Sequence, residues 1–250
     1  MLVTNDPRYE RFGWDYARFN PLEDRALAWY RWHARRADGP ILELACGTGR
    51  LLAALAADGH EVVGLDRSNT MLGQARERLG ETATLVQGDM GAFELDRRFA
   101  LIVIADNSLR EIESEPGIVA CLRCVRRHLL PAGRLLVTER RFDPDRYADG
   151  IDEHPWASAG MDPTTGREME RRVRVRLDPD HRRLHGVMTY RAVGSASETD
   201  LPFEGLVFRP PDYRRIFASA GFECEPFVGY ELRADDGTDP TLCFVCTART

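Results

Sequence analysis

Short apolar runs alternate with helical patterns over the first 140 residues of the chain. Strands are predicted at 40–45, 61–65, 82–86, 99–105 and 133–139. Helices are predicted between them, at about 49–58, 68–79 and 115–130. This alternation indicates βαβ units and a parallel sheet covered on both faces. An aromatic-rich segment, residues 1–20, comes first, and a helix then begins near Pro21 and runs to about Arg36.

The pattern changes after Glu139. Residues 140–165 contain many prolines and glycines and are expected to form turns. Apolar and polar positions then alternate as in half-buried strands, which predicts strands at 171–177, 184–190 and 203–208. We expect these three to form an antiparallel sheet inserted into the parallel one. A helix from Pro210 to about Gly221 and strands at 222–231 and 241–248 follow.

Composition is that of a globular protein and disfavours a dedicated binder of nucleic acid. The 250 residues are 43% hydrophobic and 30% charged, with a formal net charge of −6, whereas phosphate contacts need a basic face. The arginines of the first alternating strand are interpreted as its solvated face: Arg171, Arg172, Arg174 and Arg176. No apolar run is long enough to span a membrane, and no basic segment precedes an apolar core at the N-terminus. We therefore expect a cytoplasmic protein without nucleic-acid or membrane partners.

Six cysteines include two C-x-x-C pairs, Cys121/Cys124 and Cys243/Cys246. Four thiolates at such spacing could bind zinc. The first pair, however, lies in an amphipathic helix, and the second lies in a strand, where positions three apart face opposite sides of the sheet. We therefore expect no metal site, and buried, reduced thiols that behave as small hydrophobic side chains.

The segment Ile41–Arg50 reads ILELACGTGR and predicts a buried strand, a glycine turn and an immediate helix start. In this geometry backbone N–H groups and a helix N-terminus can approach a polar ligand closely. Leu52 occupies the position where the dinucleotide fingerprint G-x-G-x-x-G requires its third glycine. That departure, and the lack of a Tyr-x-x-x-Lys pattern, count against an NAD(P)-dependent Rossmann oxidoreductase.

Polar residues also follow the second and third predicted strands. Asp66 closes the second strand, where an acid can accept hydrogen bonds from both ribose hydroxyls. It could instead cap the helix that begins near Ser68. Gln87-Gly88-Asp89-Met90 follows the third strand, and Met71 lies in the helix between. Taken singly, these would be an ordinary strand-to-helix turn and a core methionine.

The pattern E-x-x-x-G-x-G, from Glu43 to Gly49, resembles the first motif of class I S-adenosylmethionine (SAM)-dependent methyltransferases, and Asp66 and Asp89 follow in that family's order. The resemblance implies an α/β fold with a Rossmann-like, doubly wound, seven-stranded, mostly parallel sheet whose last strand is antiparallel. It implies SAM as cofactor and S-adenosylhomocysteine (SAH) as product. The cofactor-binding residues that it implies are Tyr16, Glu43, Ala45, Gly47, Gly49, Asp66, Arg67, Met71, Gly88, Asp89, Met90, Ala105 and Asn107.

The inserted sheet resembles the lid of small-molecule N-methyltransferases, including those that act on glycine and on amino sugars. The fourth strand ends in Ala105-Asp106-Asn107-Ser108 rather than in the N-P-P-Y or D-P-P-Y of enzymes that methylate nucleic-acid amines, so a small-molecule acceptor is implied. The expected acceptor-binding residues are Trp14, Ser108, Arg110, Arg141, Trp156 and Tyr190. A hydroxyl acceptor would need a base, for which His154 and Glu139 are the candidates.

The implied organisation is an N-terminal flap and SAM-binding core at 1–140, an inserted substrate lid at 141–208, and a C-terminal helix with the last two strands at 209–250. The aromatic residues of the flap could instead be a packed hydrophobic staple for the first long helix.

The expected reaction is methyl transfer to a nitrogen or oxygen atom. A SAM-binding protein without catalytic activity stays open as an alternative, because binding and transfer use the same motifs. The acceptor's identity and a homodimeric state are not decided by the sequence.

Overall fold

The computed structural model describes residues 7–141, 151–178, 183–234, 237 and 239–249, which form two β-sheets with helices. The helices are α1 (Pro7–Phe12), α2 (Tyr16–Phe19), α3 (Asp24–Ala34), α4 (Arg50–Ala57), α5 (Asn69–Leu79), α6 (Glu115–His128) and α7 (Pro210–Ser219), with 3₁₀ turns at Gly13–Asp15 and Ser108–Glu111. The strands are β1 (Ile41–Leu44), β2 (Val62–Asp66), β3 (Thr84–Gln87), β4 (Phe99–Ile104), β5 (Leu129–Arg140), β6 (Ile151–Met161), β7 (Glu168–Leu177), β8 (Arg183–Ala192), β9 (Glu198–Leu206), β10 (Phe222–Val228) and β11 (Thr241–Ala248). Within this part of the chain, no helix combines the length and apolarity needed to cross a bilayer.

The larger sheet has seven strands in the order β10-β11-β5-β4-β1-β2-β3. Only β11 runs opposite to the other six strands of this sheet. The predicted fold class is therefore confirmed, antiparallel last strand included. Because the strand order reverses between β1 and β4, a crevice opens beyond the carboxyl ends of these strands, where ligands bind in open α/β sheets.

Two apolar layers bury the central strands. β1, β2 and β4 are buried along their whole length. Side chains of α6 and α7 cover one face of the sheet, and those of α3, α4 and α5 cover the other. The continuous apolar runs that predicted parallel strands are thus explained by burial on both faces.

The smaller sheet is antiparallel, in the order β6-β7-β8-β9. The expectation of turns throughout 140–165 was wrong for 151–161, which form strand β6. This strand is at the edge of the sheet, and its register with β7 shifts between His154 and Ala157 and between Ser158 and Gly160. Proline and glycine are tolerated at such edges and bulges, so Pro155 and Gly160 do not prevent a strand here.

Arg171 was expected on the solvated face of its strand, and that expectation was wrong. It has the same parity along β7 as Val173, and its side chain is 13% exposed and lies 3.5 Å from Asp15. Arg174 and Arg176 are exposed, as predicted for a solvated face. Alternation therefore places Arg171 on the inward side of the strand, where a buried carboxylate compensates its charge.

The cysteines lie in the core, but not all are reduced. Cys121 and Cys124 are buried on α6, and Cys243 and Cys246 belong to core clusters on opposite faces of the sheet. The expectation of a reduced thiol was wrong for Cys246, which forms a disulfide with Cys224. The two residues are directly opposite each other in the β10–β11 pair, and cross-strand neighbours are close enough to bond.

Candidate functional site

A cavity of about 380 Å³ opens where β1, β2 and β3 end, and we call it the glycine-turn cavity. Its size is in the range of cofactor and small-molecule sites. It is lined by Tyr9, Tyr16, Ala45, Gly47, Leu65, Asp66, Arg67, Met71, Gly88, Asp89, Met90, Gly91, Ala92, Ser108, Glu111, Ile112, Glu113, Ser114 and Gly117. Nine of the thirteen residues predicted to bind cofactor are among them.

The turn after β1 is built from left-handed backbone. Ala45 and Gly47 both have φ of 55°, and Gly49, which precedes α4, has φ of 70°. A side chain at Gly49 is also excluded by space, because its Cβ would lie 2.8 Å from Leu79 Cδ1. A left-handed conformation costs a non-glycine residue roughly 1–2 kcal/mol, and Ala45 adopts it at the cavity wall.

Asp66 is buried at the end of β2 and joins two loops. Its Oδ2 accepts a hydrogen bond from the Gly47 N–H at 2.8 Å, and its Oδ1 accepts one from the Ser68 N–H at 2.9 Å. Burial raises the pKa of this carboxyl, and the two hydrogen bonds oppose that rise. The side-chain cap of α5 comes from Ser68, whose Oγ accepts from the Met71 N–H. Each Asp66 oxygen keeps a lone pair for a further donor.

The loop after β3 supplies the other wall of the glycine-turn cavity. The Gly88 N–H donates to the Asp66 carbonyl at 3.0 Å, and Asp89 Oδ1 accepts from the Gly91 N–H at 2.7 Å. Met71 and Met90 bring apolar surface to the same space. The cavity thus combines apolar faces with carboxylates, as a flat heteroaromatic ligand with polar edges requires.

A small cavity adjoins the glycine turn. It is lined by Leu22, Tyr30, Glu43, Cys46, Arg50, Leu51, Ala105 and Asp106. Glu43 Oε2 and Arg50 Nη1 are both buried, and neither has a hydrogen-bond partner among the described residues. Burial raises the pKa of Glu43 well above its ordinary value, and the nearby Asp106 adds to this. Buried polar atoms without partners are costly, so a carboxylate and a guanidinium here favour a ligand that carries both charges.

Asp106 and Asn107, just beyond β4, have left-handed backbone with φ of 52° and 67°. Thr138 holds them there, because its Oγ1 accepts from the Asp106 N–H and its carbonyl from the Asn107 N–H. Asp106 Oδ2 lies 3.4 Å from Arg50 Nη2. Burial raises the pKa of Asp106, and Arg50 opposes the rise. Strained non-glycine residues of this kind cluster at functional sites.

A polar cavity of about 270 Å³ lies on the other side of Asp106. It is lined by Phe19, Asn20, Pro21, Glu23, Arg25, Asp106, Asn107, Thr138, Glu139, Arg140, Tyr230, Pro240 and Thr241. Its lining combines carboxylates, hydroxyls and amides at the carboxyl ends of β4 and β5. Such a lining suits a hydroxylated, charged small molecule.

Comparison with known proteins places this geometry in a family. Residues 41–133 match the family model described as a methyltransferase domain. A dTDP-3-amino-3,4,6-trideoxy-alpha-D-glucopyranose N,N-dimethyltransferase from Streptomyces venezuelae is 30% identical over 191 residues, which cover 76% of this chain and 77% of that protein. The chain belongs to the SAM-dependent methyltransferases.

Solved structures agree with this placement. An amino pentose methyltransferase from Micromonospora echinaspora, determined with bound SAM, is 25% identical, has a TM-score of 0.69, and the alignment covers 94% of each chain. A methyltransferase from Streptomyces caelestis shares the fold with a TM-score of 0.77 at 23% identity, over 92% of this chain and 91% of that one. The cofactor of the chain described here is therefore SAM, and its product is SAH.

Four predicted cofactor residues lie outside the glycine-turn cavity. Glu43 and Ala105 line the small cavity, Asn107 lines the polar cavity, and Gly49 shapes the turn. All four nevertheless lie at the carboxyl ends of β1 and β4, beside the nine that the cavity brings together.

The predicted acceptor-binding residues are dispersed in the methyltransferase. Ser108 lines the glycine-turn cavity. Arg110 is paired with Glu139, and Arg141 donates to the Asp239 carbonyl. Trp156 lies against the guanidinium groups of Arg172 and Arg191.

Trp14 and Tyr190 belong to an apolar cluster between the N-terminal helices and the inserted sheet. The Tyr190 hydroxyl donates to Asp15 within that cluster. Neither residue lines any of the three cavities.

The two candidate bases also differ from expectation in their surroundings. His154 is exposed on β6 and lines none of these cavities. Glu139 lines the polar cavity, but its Oε2 is 2.8 Å from Arg110 Nη2 and accepts from the Tyr213 hydroxyl at 3.2 Å. Burial raises the pKa of Glu139, and Arg110 opposes this. Glu139 is thus part of a buried ion pair.

Sequence reasoning missed Asp106 and Arg50. Both were visible in the sequence, because Asp106 directly follows the apolar run of β4 and Arg50 directly follows the glycine turn. Their importance appears only when the carboxyl ends of β1 and β4 are neighbours, since that brings the two side chains within 3.4 Å.

Proposed function

We propose that this methyltransferase transfers the methyl group of SAM to the amino nitrogen of a small polar acceptor of the amino-sugar class. Two relatives are named as N,N-dimethyltransferases of dTDP-linked amino sugars, and a structural relative is named as an amino pentose methyltransferase. The polar cavity supports the same class, because its lining includes the carboxylates Glu23, Asp106 and Glu139. Carboxylates attract an ammonium group and accept hydrogen bonds from sugar hydroxyls.

The polar and apolar groups that line the cavities suit the parts of SAM. We assign the adenosine to the glycine-turn cavity, with Asp66 accepting from the ribose hydroxyls and Asp89 from the adenine amino group. Met71 and Met90 supply the apolar surface for the ring. We assign the charged groups of the amino-acid end to the lining of the small cavity, which holds about 20 Å³, because an ammonium and a carboxylate there would satisfy the partnerless Glu43 Oε2 and Arg50 Nη1.

Tyr16 adds a polar group at this junction. Its ring lies 5.3 Å from the Arg50 guanidinium, and its hydroxyl has no hydrogen-bond partner among the described residues. Burial raises the pKa of Tyr16 to about 12, so the hydroxyl stays protonated and can donate a hydrogen bond to the cofactor carboxylate.

The observation that carries the acceptor site is the position of Asp106. This residue lines both the small cavity and the polar cavity. An acceptor in the polar cavity would therefore approach the methyl donor beside Asp106. A polar side chain at this point can orient the nucleophilic nitrogen towards the methyl group.

The residues of the chain then have distinct tasks. Bound SAM supplies a methyl group on a sulfonium leaving group. Asp106 accepts a hydrogen bond from the acceptor N–H, which directs the nitrogen lone pair towards the donor and provides a place for the released proton. Its raised pKa makes it a stronger base than an ordinary carboxylate. Glu139 supplies a second carboxylate to the polar cavity, and its ion pair with Arg110 fixes its position there.

An acceptor screen tests this function. The enzyme is incubated with SAM and with dTDP-linked amino sugars, and matched sugars that carry a hydroxyl in place of the amine serve as controls. We expect SAH release and a methylated product with the amino sugars but not with the hydroxyl controls. At saturating SAM, Asp106→Asn should lower kcat about 100-fold, the lower end of a general-base contribution, and calorimetric titration with SAH measures any change in cofactor affinity separately. Methylation of the hydroxyl controls, or full activity of Asp106→Asn, would contradict the proposal.

The boundaries of the flap, lid and C-terminal part stay predictions, as do a cytoplasmic location, the absence of a nucleic-acid partner and the oligomeric state.

A further inference from the structure

The N-terminal segment, Pro7–Phe19, lies between the glycine-turn cavity and the inserted sheet. On one side it contributes Tyr9 and Tyr16 to the cavity lining. It is attached to α5 there, because Gln74 Nε2 donates to the Gly13 carbonyl at 3.1 Å and Thr70 Oγ1 donates to the Glu10 carbonyl at 2.9 Å. The segment thus forms part of the wall around the cofactor.

The other side of the segment is bound by the inserted sheet through Tyr190. The Tyr190 ring stacks on Phe12, with centroids 4.0 Å apart and planes 14° from parallel. Its hydroxyl donates to Asp15 Oδ2 at 2.9 Å. Arg171, on the neighbouring strand β7, places Nη1 3.5 Å from the same oxygen. One carboxylate of the N-terminal segment is therefore held by two strands of the inserted sheet.

This contact is buried. Asp15 is 4% exposed and Tyr190 is 2% exposed. Among the described residues, the hydrogen bond and the ion pair of the Asp15 side chain both come from the inserted sheet. A buried carboxylate that loses its partners is strongly destabilised, so Asp15 stays where Tyr190 and Arg171 hold it.

Asp15 immediately precedes Tyr16. Asp15 closes the 3₁₀ turn Gly13–Asp15 and Tyr16 begins α2, so the backbone position of Asp15 sets where the Tyr16 ring enters the cavity. No residue of β6–β9 lines the glycine-turn cavity in the described part of the chain. Any influence of the inserted sheet on the cavity through this contact therefore passes through the N-terminal segment.

We propose that Asp15 and Tyr190 are positioning residues for the cofactor: the inserted sheet holds Tyr16 in the wall of the glycine-turn cavity through the Tyr190–Asp15 hydrogen bond. Affinity for SAM and SAH then depends on a strand that does not line the cavity. This inference rests on the proposed placement of the cofactor in that cavity. It also implies reciprocity, since a bound cofactor that fixes Tyr16 must stabilise the position of the inserted sheet to the same extent.

Tyr190→Phe tests the proposal, because it removes the hydroxyl and keeps the ring stacked on Phe12. The matched control is Thr189→Val, since Thr189 is the adjacent buried residue and its Oγ1 donates to Asp200 Oδ1 within the sheet. Both variants lose one side-chain hydrogen bond of β8, but only Tyr190→Phe loses the hydrogen bond to Asp15 of the N-terminal segment. We expect calorimetry to show SAH binding weakened about fivefold or more in Tyr190→Phe, the lower end of typical coupling between sites. Thr189→Val should stay within about twofold of the wild type.

A second pair of variants asks whether the effect passes through Tyr16. In a Tyr16→Ala background, Tyr190→Phe should have no further effect on SAH affinity, because the side chain that it positions is gone. Asp15→Asn keeps an acceptor oxygen for Tyr190 and should bind SAH more tightly than Asp15→Ala.

The outcomes separate the two proposals. If the wild type failed to bind SAH, both the cofactor placement and the coupling would be overturned. If the wild type binds SAH and folded Tyr190→Phe binds it equally well, the coupling alone is overturned. Equal losses of SAH affinity in Thr189→Val and Tyr190→Phe would also overturn the coupling, because the hydroxyl would then affect binding only through the stability of the fold. A full Tyr190→Phe effect in the Tyr16→Ala background would overturn it as well, because the effect would not pass through Tyr16.

Discussion

The Asp66 carboxylate organises the backbone of the proposed cofactor site. It accepts hydrogen bonds from the N–H groups of Gly47 and Ser68, and its own carbonyl accepts from Gly88. Three loops that follow three different strands therefore meet at this residue. The two roles considered for Asp66, a ribose acceptor and a local cap, are compatible because each carboxylate oxygen can accept more than one hydrogen bond.

Asp66→Asn should weaken SAH binding by about 1.5–3 kcal/mol, the usual value of a hydrogen bond to a charged group. Asparagine keeps one acceptor oxygen, so the protein should remain folded. Calorimetric titration with SAH measures the loss, and a thermal melt checks the fold. Unchanged affinity in the folded variant would show that Asp66 does not contact the cofactor.

His33 should make stability sensitive to acid. It is buried between Trp29 and Trp32, neither ring nitrogen has a hydrogen-bond partner among the described residues, and burial lowers its pKa to about 4. The unfolded chain, with a histidine pKa near 6.5, binds the proton more readily. Stability is therefore fully present above about pH 6.5 and falls as the pH drops towards 4, by about 2 kcal/mol at pH 5.

His33→Phe should remove this part of the acid sensitivity, because phenylalanine keeps the aromatic contacts and cannot be protonated. Urea unfolding at pH 7 and pH 5 measures the difference in the wild type and in the variant. His60→Gln serves as a control substitution at another histidine. An unchanged pH dependence in His33→Phe would contradict the assignment.

At the level of elements, the Arg110–Glu139 pair connects the 3₁₀ turn Ser108–Glu111 to β5. Arg110 donates to Glu139 and to the Arg140 carbonyl, while the Tyr213 hydroxyl brings α7 to the same carboxylate. This network lies between the polar cavity and the core. Arg110 and Glu139, both expected from the sequence to act on the acceptor, are thus joined to each other by an ion pair.

Glu139→Ala should cost about 3–5 kcal/mol of folding stability, because it leaves the Arg110 guanidinium buried without its partner. The double variant Glu139→Leu/Arg110→Met should be more stable than the single variant, since no charge is left uncompensated. Chemical unfolding of the three proteins measures both effects. A folded, fully stable Glu139→Ala enzyme with a large loss of kcat would instead indicate a catalytic base.

For the molecule as a whole, cofactor binding and unfolding are linked. SAH at about 100 times its dissociation constant should stabilise the native state by about 2.7 kcal/mol. For a chain of this size this corresponds to a rise in Tm of roughly 5–10 °C. NAD should give no rise, because the turn lacks the third glycine of the dinucleotide fingerprint. A rise with NAD and none with SAH would overturn the cofactor assignment.

Much of the fold could be predicted because it is encoded in local patterns. The buried runs of β1, β2 and β4 and the helices between them follow from periodicity, and the glycine turn follows from positions that need left-handed backbone. Eight of the nine predicted cofactor residues that line the cavity meet there because they lie at or after the ends of consecutive strands, and parallel strands end at one edge of the sheet. The ninth, Tyr16, comes from the N-terminal segment.

Other features depend on neighbours that are distant in sequence, and only the tertiary structure decides them. Pairing at the edge of a sheet makes β6 a strand despite its proline and glycine, and hairpin register brings Cys224 opposite Cys246. The Tyr190 hydroxyl donates to Asp15, which is 175 positions away in the sequence. Periodicity tells which face of an element is buried, but the partner on that face is selected by packing between elements, which no local pattern records.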